Sequence, residues 1–150
     1  MQQSLRNVLP PRTKVSLSGA SSSSLRKSLI DSQNETPWTA PSLPASIHLR
    51  FSEPTDSATH IALTFQGGFV GTKASLYLAS RGQDGRQADQ PGLELGGKIY
   101  PEDKNKRQIF QIPYLSTTNN TTSLTELKIE FETSSDQYGR ITLYSVELLG

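Results

Sequence analysis

LTELKIEFE, residues 124–132, has the cleanest period-two pattern in the chain. Leu127, Ile129 and Phe131 fall on one side of an extended chain, and Glu126, Lys128, Glu130 and Glu132 on the other. Successive side chains of a strand point to opposite faces, so this stretch is a strand with one dry face and one wet face. The device recurs upstream. At 46–51, Ile47, Leu49 and Phe51 are expected to face inward, with His48 and Arg50 outward; at 59–66, Ile61, Leu63 and Phe65 inward, with His60, Ala62 and Thr64 outward. Further strands are predicted at 14–18, 72–79, 93–100, 107–112 and 140–149, about eight in all. One-sided strands belong in antiparallel sheets, and two such sheets pressed together bury both apolar faces. The expected fold is therefore all-β, an antiparallel sandwich of the jelly-roll type.

Turn residues stand between these strands: Glu53-Pro54-Thr55-Asp56, Gly67-Gly68, Pro101-Glu102-Asp103 and Asp136-Gln137-Tyr138-Gly139. Polar loops are predicted at 19–24, 80–92 and 116–123, and a helical turn or extended arm at 25–30. The hydrophobic fraction of 33% suits short half-buried strands better than a helix bundle. At 150 residues the chain is large enough for one real core. Residues 1–11 are expected to form a flexible tail, and 12–150 the sandwich domain.

The chain has no cysteine, which excludes a disulfide framework, a thiolate metal site and a thiol nucleophile. Net charge is +1, too balanced for a nucleic-acid binder, so no direct nucleic-acid contact is expected. Charge is uneven, however: residues 1–30 carry +5 and no acid, and the rest carries 10 bases against 14 acids. Such a start has the composition of a mitochondrial transit peptide, but the plainer expectation is a solvated arm. Nothing approaches a membrane span of about 20 apolar residues, and no secretory apolar run is present. The expected location is the nucleus, the cytoplasm or both.

Three blocks could carry binding. Gln66, Gly67, Gly68 and Phe69 form a tight turn; its glycines answer a steric need, and either both flanking rings enter the core or Phe69 anchors a partner beside an exposed Gly-Gly backbone. Tyr100, Glu102 and Asp103 close a strand with an acidic turn. The two carboxylates are adjacent on a loop, which is not the spacing of an acid/base pair. Tyr138, Gly139 and Arg140 form the third block. Arg140 either pairs with Asp136 or Glu102 or grips a partner's carboxylate, and the second role is preferred. His48 and His60 face outward and fall short of the three or four ligands of a zinc site. No Gly-x-Ser-x-Gly elbow and no phosphate-binding glycine pattern occurs. The chain is therefore read as not an enzyme.

Residues 29–39, LIDSQNETPWT, resemble the Asp-x-x-x-x-Thr-x-Trp loop of discoidin-like domains, the coagulation-factor type C and galactose-binding superfamily. The closing Val146-Glu147-Leu148-Leu149-Gly150 is similar to that superfamily too. Four blocks in order, at 29–38, 65–69, 100–103 and 138–140 followed by the last strand, resemble the small nuclear receptor-associated protein family. That resemblance spans about residues 14–150. It implies a discoidin-like jelly roll acting as a non-catalytic partner-binding module, and its animal member is a repressor that binds a testicular orphan nuclear receptor. In many galactose-binding-like domains the loop matching Asp31, Thr36 and Trp38 wraps a structural calcium. Here Gln33 stands where a second carboxylate is common and Ser145 where a closing Glu is usual, which weakens a calcium shell. The expectation is no metal and no cofactor: Asp31 holds the loop by accepting its amides, and Trp38 anchors it in the core. Structural calcium at Asp31 and Thr36 is the alternative. The expected function is a protein-interaction module, a regulator or scaffold of a nuclear or cytoplasmic complex with a partner of unknown identity. The alternative is a carbohydrate-binding, lectin-like module.

Overall fold

The computed structural model describes residues 5–18, 29–30, 37–81, 93–113 and 123–150, with Arg81 described by its backbone alone. Expectations for 19–28, for Asp31, Gln33 and Thr36, and for most of the loops at 80–92 and 116–123 lie outside the described residues. Nine strands are present among the described residues: β1 Lys14–Leu17, β2 Trp38–Ala40, β3 Ala45–Thr55, β4 His60–Phe65, β5 Gly71–Arg81, β6 Glu94–Ile99, β7 Arg107–Gln111, β8 Ser123–Ser134 and β9 Ile141–Leu149. They form a five-stranded sheet, β1-β3-β8-β5-β6, and a four-stranded sheet, β2-β9-β4-β7. Every pairing is antiparallel.

β8, which contains the alternating stretch 124–132, lies at the centre of the larger sheet between β3 and β5. Leu127, Ile129 and Phe131 are fully buried, as their alternation requires. They face Leu63, Phe65, Leu143 and Val146 of the other sheet within one continuous core. The rings of Phe65 and Phe131 meet edge to face across the sandwich, with centroids 5.7 Å apart. This is the favoured aromatic geometry, so the contact fixes the sheets' relative position as well as burying area.

Three details depart from the expectation. Ala62, expected outside, is fully buried. It lies on the outer face of β4, opposite Ile109 of β7 and Glu147 of β9, and its methyl group is too short to reach past them. Phe51 is only half buried, because the pairing of β3 with β8 breaks between Arg50 and Thr55. That irregularity also lets β3 run on through Glu53-Pro54-Thr55, where a turn was expected; proline lacks a ladder donor and is tolerated at such a break. Finally, β2 was not foreseen as a strand, although Trp38 within it is buried as expected.

The N-terminal stretch lies along β9. Arg6 and Gly150 exchange both backbone hydrogen bonds, at 3.1 and 3.0 Å, and the Val8 amide donates to the Leu148 carbonyl at 2.7 Å. This marks one end of the sandwich. The β4–β5, β6–β7 and β8–β9 connections gather at the other.

Candidate functional site

The β4–β5 connection is a tight turn in which the Phe69 amide donates to the Gln66 carbonyl at 3.1 Å. Gly68 sits at φ +88°, a region that side-chain-bearing residues avoid, and a Cβ on it would meet nothing within 4 Å. The turn is sewn to β9 by two backbone bonds, Gln66 amide to Thr142 carbonyl and Thr142 amide to Phe69 carbonyl, both 2.9 Å. It is sewn to the β6–β7 connection by side chains. The Gly67 amide donates to Asn105 Oδ1 at 3.0 Å and the Gly68 amide to Asp103 Oδ1 at 2.8 Å. Both glycine amides are thus taken within the chain, so the Gly-Gly backbone has no amide to offer a partner.

Asp103 reaches a third loop as well, accepting the Ser135 hydroxyl at 3.3 Å. Ser135 in turn accepts the Val70 amide at 2.9 Å, and its own amide donates to the Val70 carbonyl at 2.8 Å. One carboxylate therefore ties together loops that are 35 and 32 residues from it in sequence.

The β8–β9 turn is built around Asp136. Its Oδ2 accepts the Tyr138 amide (3.2 Å), the Arg140 amide (3.1 Å) and Arg140 Nε (3.0 Å), and its Oδ1 accepts Arg140 Nη2 (3.3 Å). Hydrogen bonds from Arg140 hold the Asp136 carboxyl below the usual carboxylate range, and the same bonds push the guanidinium upward. Gly139 closes the turn at φ +78°. The Arg140 guanidinium carbon lies 5.3 Å from the Phe69 ring centre and 5.4 Å from that of Tyr138, within cation–π range of both. Phe69 is half buried, and Tyr138 is 70% exposed.

Of the residues singled out from sequence, Gln66, Gly67, Gly68, Phe69, Asp103, Tyr138, Gly139 and Arg140 come together at this end. Tyr100, 64% exposed, and Glu102 open the β6–β7 connection, but among the described residues no hydrogen bond, ion pair or ring contact ties their side chains to the other two loops. Glu102 instead pairs with Lys104 at 2.7 Å, and that hydrogen bond lowers its pKa. Arg140 is paired with Asp136 rather than Glu102. His48 and His60 lie apart on the two sheets, His48 Nε2 within 3.0 Å of Glu126 and His60 Nδ1 within 2.7 Å of Thr59 Oγ1. Asn105 and Ser135 were missed. Short polar residues in turns are too common to mark a specific distant partner.

Two antiparallel sheets in this order, with connecting loops knitted at one end, define a discoidin-like, galactose-binding-like domain. Solved structures of that fold superpose on the chain. The family 32 carbohydrate-binding module of Clostridium perfringens NanJ, solved with galactose, aligns with a TM-score of 0.69 at 15% identity, covering 97% of this chain and 99% of its own. The F5/8 type C domain from Bacteroides fragilis aligns with a TM-score of 0.73 at 14% identity, covering 97% and 95%. At such identities the likeness establishes the fold alone. No protein-family profile matches the chain. Sequence relatives are more specific. Nuclear receptor 2C2-associated protein of Danio rerio is 32% identical over 126 residues, 83% of this chain and 79% of its own. The proteins of that name from Mus musculus and Homo sapiens are 32% and 31% identical over the same spans. The chain belongs to the nuclear receptor 2C2-associated protein family.

Proposed function

We propose that this chain is a non-catalytic protein-interaction module that docks a partner protein through the laced loop end. The observation that carries the reading is the convergence of three sequence-distant loops into one braced surface bearing Phe69, Tyr138 and Arg140. A surface held by its own hydrogen bonds loses little freedom on docking, and aromatic and arginine side chains supply most of the energy at interfaces. Gln66, Gly67, Gly68, Gly139 and Asp103 frame these anchors, and Tyr100 and Glu102 extend the surface along the β6–β7 connection. Relatives named for association with a nuclear receptor support a partner-binding role, as regulator or scaffold of a nuclear or cytoplasmic complex. The test is affinity purification from native cells, comparing the wild type with Phe69→Ala plus Arg140→Ala. Loss of a specific partner with the fold intact is expected; equal recovery from both would remove these residues from the site. A tagged chain followed by microscopy checks the location.

A glycan-binding reading rests on the Tyr138 ring, exposed beside a fixed guanidinium in a fold shared with carbohydrate-binding modules. A glycan array decides it: specific hits lost in Tyr138→Ala would favour this reading over protein docking.

A further inference from the structure

The arginine fork at the loop end is only half used. Asp136 occupies one side of the guanidinium through Nε and Nη2. A guanidinium carries five N–H donors in one plane. Both protons of Nη1 and the second proton of Nη2 are left, and one from each nitrogen lies parallel to the other along the outward edge of the fork. No acceptor for them lies among the described residues. The side chain is 46% exposed, so this edge reaches solvent. Its orientation is nevertheless set. Asp136, whose side chain is only 10% exposed, holds one side of the plane, and the rings of Phe69 and Tyr138 lie within 5.4 Å of its carbon. An arginine on an open surface has to give up its rotamer freedom to make a two-point contact, whereas this one has already done so in folding.

We infer that the outward edge of Arg140 is a receptor for a single carboxylate on an acidic segment of the docking partner. The inference deepens the docking role proposed above and rests on it. The two remaining parallel N–H donors, one on Nη1 and one on Nη2, match the two oxygens of a carboxylate in a second bidentate contact on the edge adjoining the one held by Asp136. Charge decides against a dianion. Asp136 already pairs with Arg140, and Lys104 on the neighbouring connection is taken by Glu102, so neither pair leaves a free positive charge for a phosphate's second negative one. A monoanion fits one fork. The carbon stem of an Asp or Glu side chain would then pass beside the exposed ring of Tyr138, giving the contact an apolar component that phosphate lacks.

The experiment uses the whole chain, 15N-labelled, and follows the Arg140 Nε–H resonance by NMR. The probe is a capped Gly-Glu-Gly-Glu-Gly peptide, set against its Gln counterpart and against inorganic phosphate at equal ionic strength. The Glu peptide is expected to shift the resonance saturably, with the Gln peptide and phosphate moving it far less. Arg140→Lys keeps the charge but loses the planar edge, so the Glu peptide, followed through the Tyr138 and Gly139 amides, should bind it roughly tenfold more weakly, the scale of one bidentate contact. Lys106→Gln removes a charge from the same end without touching the fork and should leave binding unchanged. Equal shifts from the Glu and Gln peptides, full binding by Arg140→Lys, or equal loss in Lys106→Gln would each overturn the inference. Failure here is separable from failure of the docking role. If the native partner is lost in Phe69→Ala but retained in Arg140→Lys, docking stands and the carboxylate receptor falls. If the partner ignores Phe69 as well, the docking role itself has failed.

Discussion

Gly71 and Gly68 flank the same turn and are glycine for different reasons. A Cβ on Gly71 would stand 2.4 Å from Cδ1 of Phe131, a ring fixed in the core. Gly71→Ala must push that ring off its edge-to-face contact with Phe65, and overpacking of this kind costs about 2 kcal/mol. Gly68→Ala meets open space and is penalised only by its positive φ, at about 1 kcal/mol. Urea denaturation should rank the two in that order; equal midpoints would show that Phe131 yields freely. Asp136 makes a separate prediction in pH. Its folded pKa is depressed, first by the Arg140 side-chain bond, so its contribution is complete above the ordinary carboxylate pKa and disappears as pH falls through the folded value. Acidification across that window should lower the protection of the Tyr138 and Arg140 amides, measured against their intrinsic exchange rates at each pH, since Asp136 accepts both. Asp136→Asn should flatten this pH dependence, and an unchanged profile would show that another group sets it.

At the scale of elements, the strands were legible and the stitching between loops was not. Alternation reports burial directly, which is why 124–132 and 59–66 gave their inward faces from residue type alone; Ala62 escaped because only its neighbours' lengths decide its burial. β2 escaped because three residues carry too little pattern, and its partners Ile141–Leu143 lie about a hundred residues away. The same holds at the candidate site. Gly-Gly and Tyr-Gly-Arg announced turns, but nothing local to Asp103 says that it will reach Gly68 and Ser135. This tie has a measurable consequence. Asp103→Ala frees the Gly68 amide and the Ser135 hydroxyl together, and the net loss for exposed hydrogen bonds of this kind is about 1 kcal/mol. The Gly68 amide should exchange faster while the strand amides of β8 keep their protection. If protection fell across β8 as well, the loops would belong to the folding core instead of being braced upon it.

Across the whole molecule, β9 has one complete neighbour and one assembled from fragments. β4 pairs with it from His60 to Phe65. On the other side Trp38–Ala40 cover its first residues, the Leu29 carbonyl accepts the Val146 amide at 2.9 Å, and Arg6 to Val8 cover its end. A sheet edge left bare invites pairing with other chains, and here three separate pieces of the N-terminal forty residues close it. Residues 6–8, expected to lie in a tail, make three backbone bonds, one to Leu148 of β9 and two to Gly150 just beyond it, and Pro10 behind them is buried. Deletion of residues 1–11 should therefore destabilise the chain by about 2 kcal/mol, at roughly 0.5–1 kcal/mol net for each of these bonds. Trp38 is the only tryptophan and is buried between the sheets, so its fluorescence reports the sandwich while far-UV circular dichroism reports the strands. In the full chain the two transitions should coincide, as for a single cooperative unit. In the truncated chain both should move together to lower urea, and the bared end of β9 should make the protein more prone to associate, seen as concentration-dependent light scattering. A truncated chain that unfolds at the original midpoint and stays monomeric would show that the first eleven residues are dispensable and that β9 needs no cover at that end.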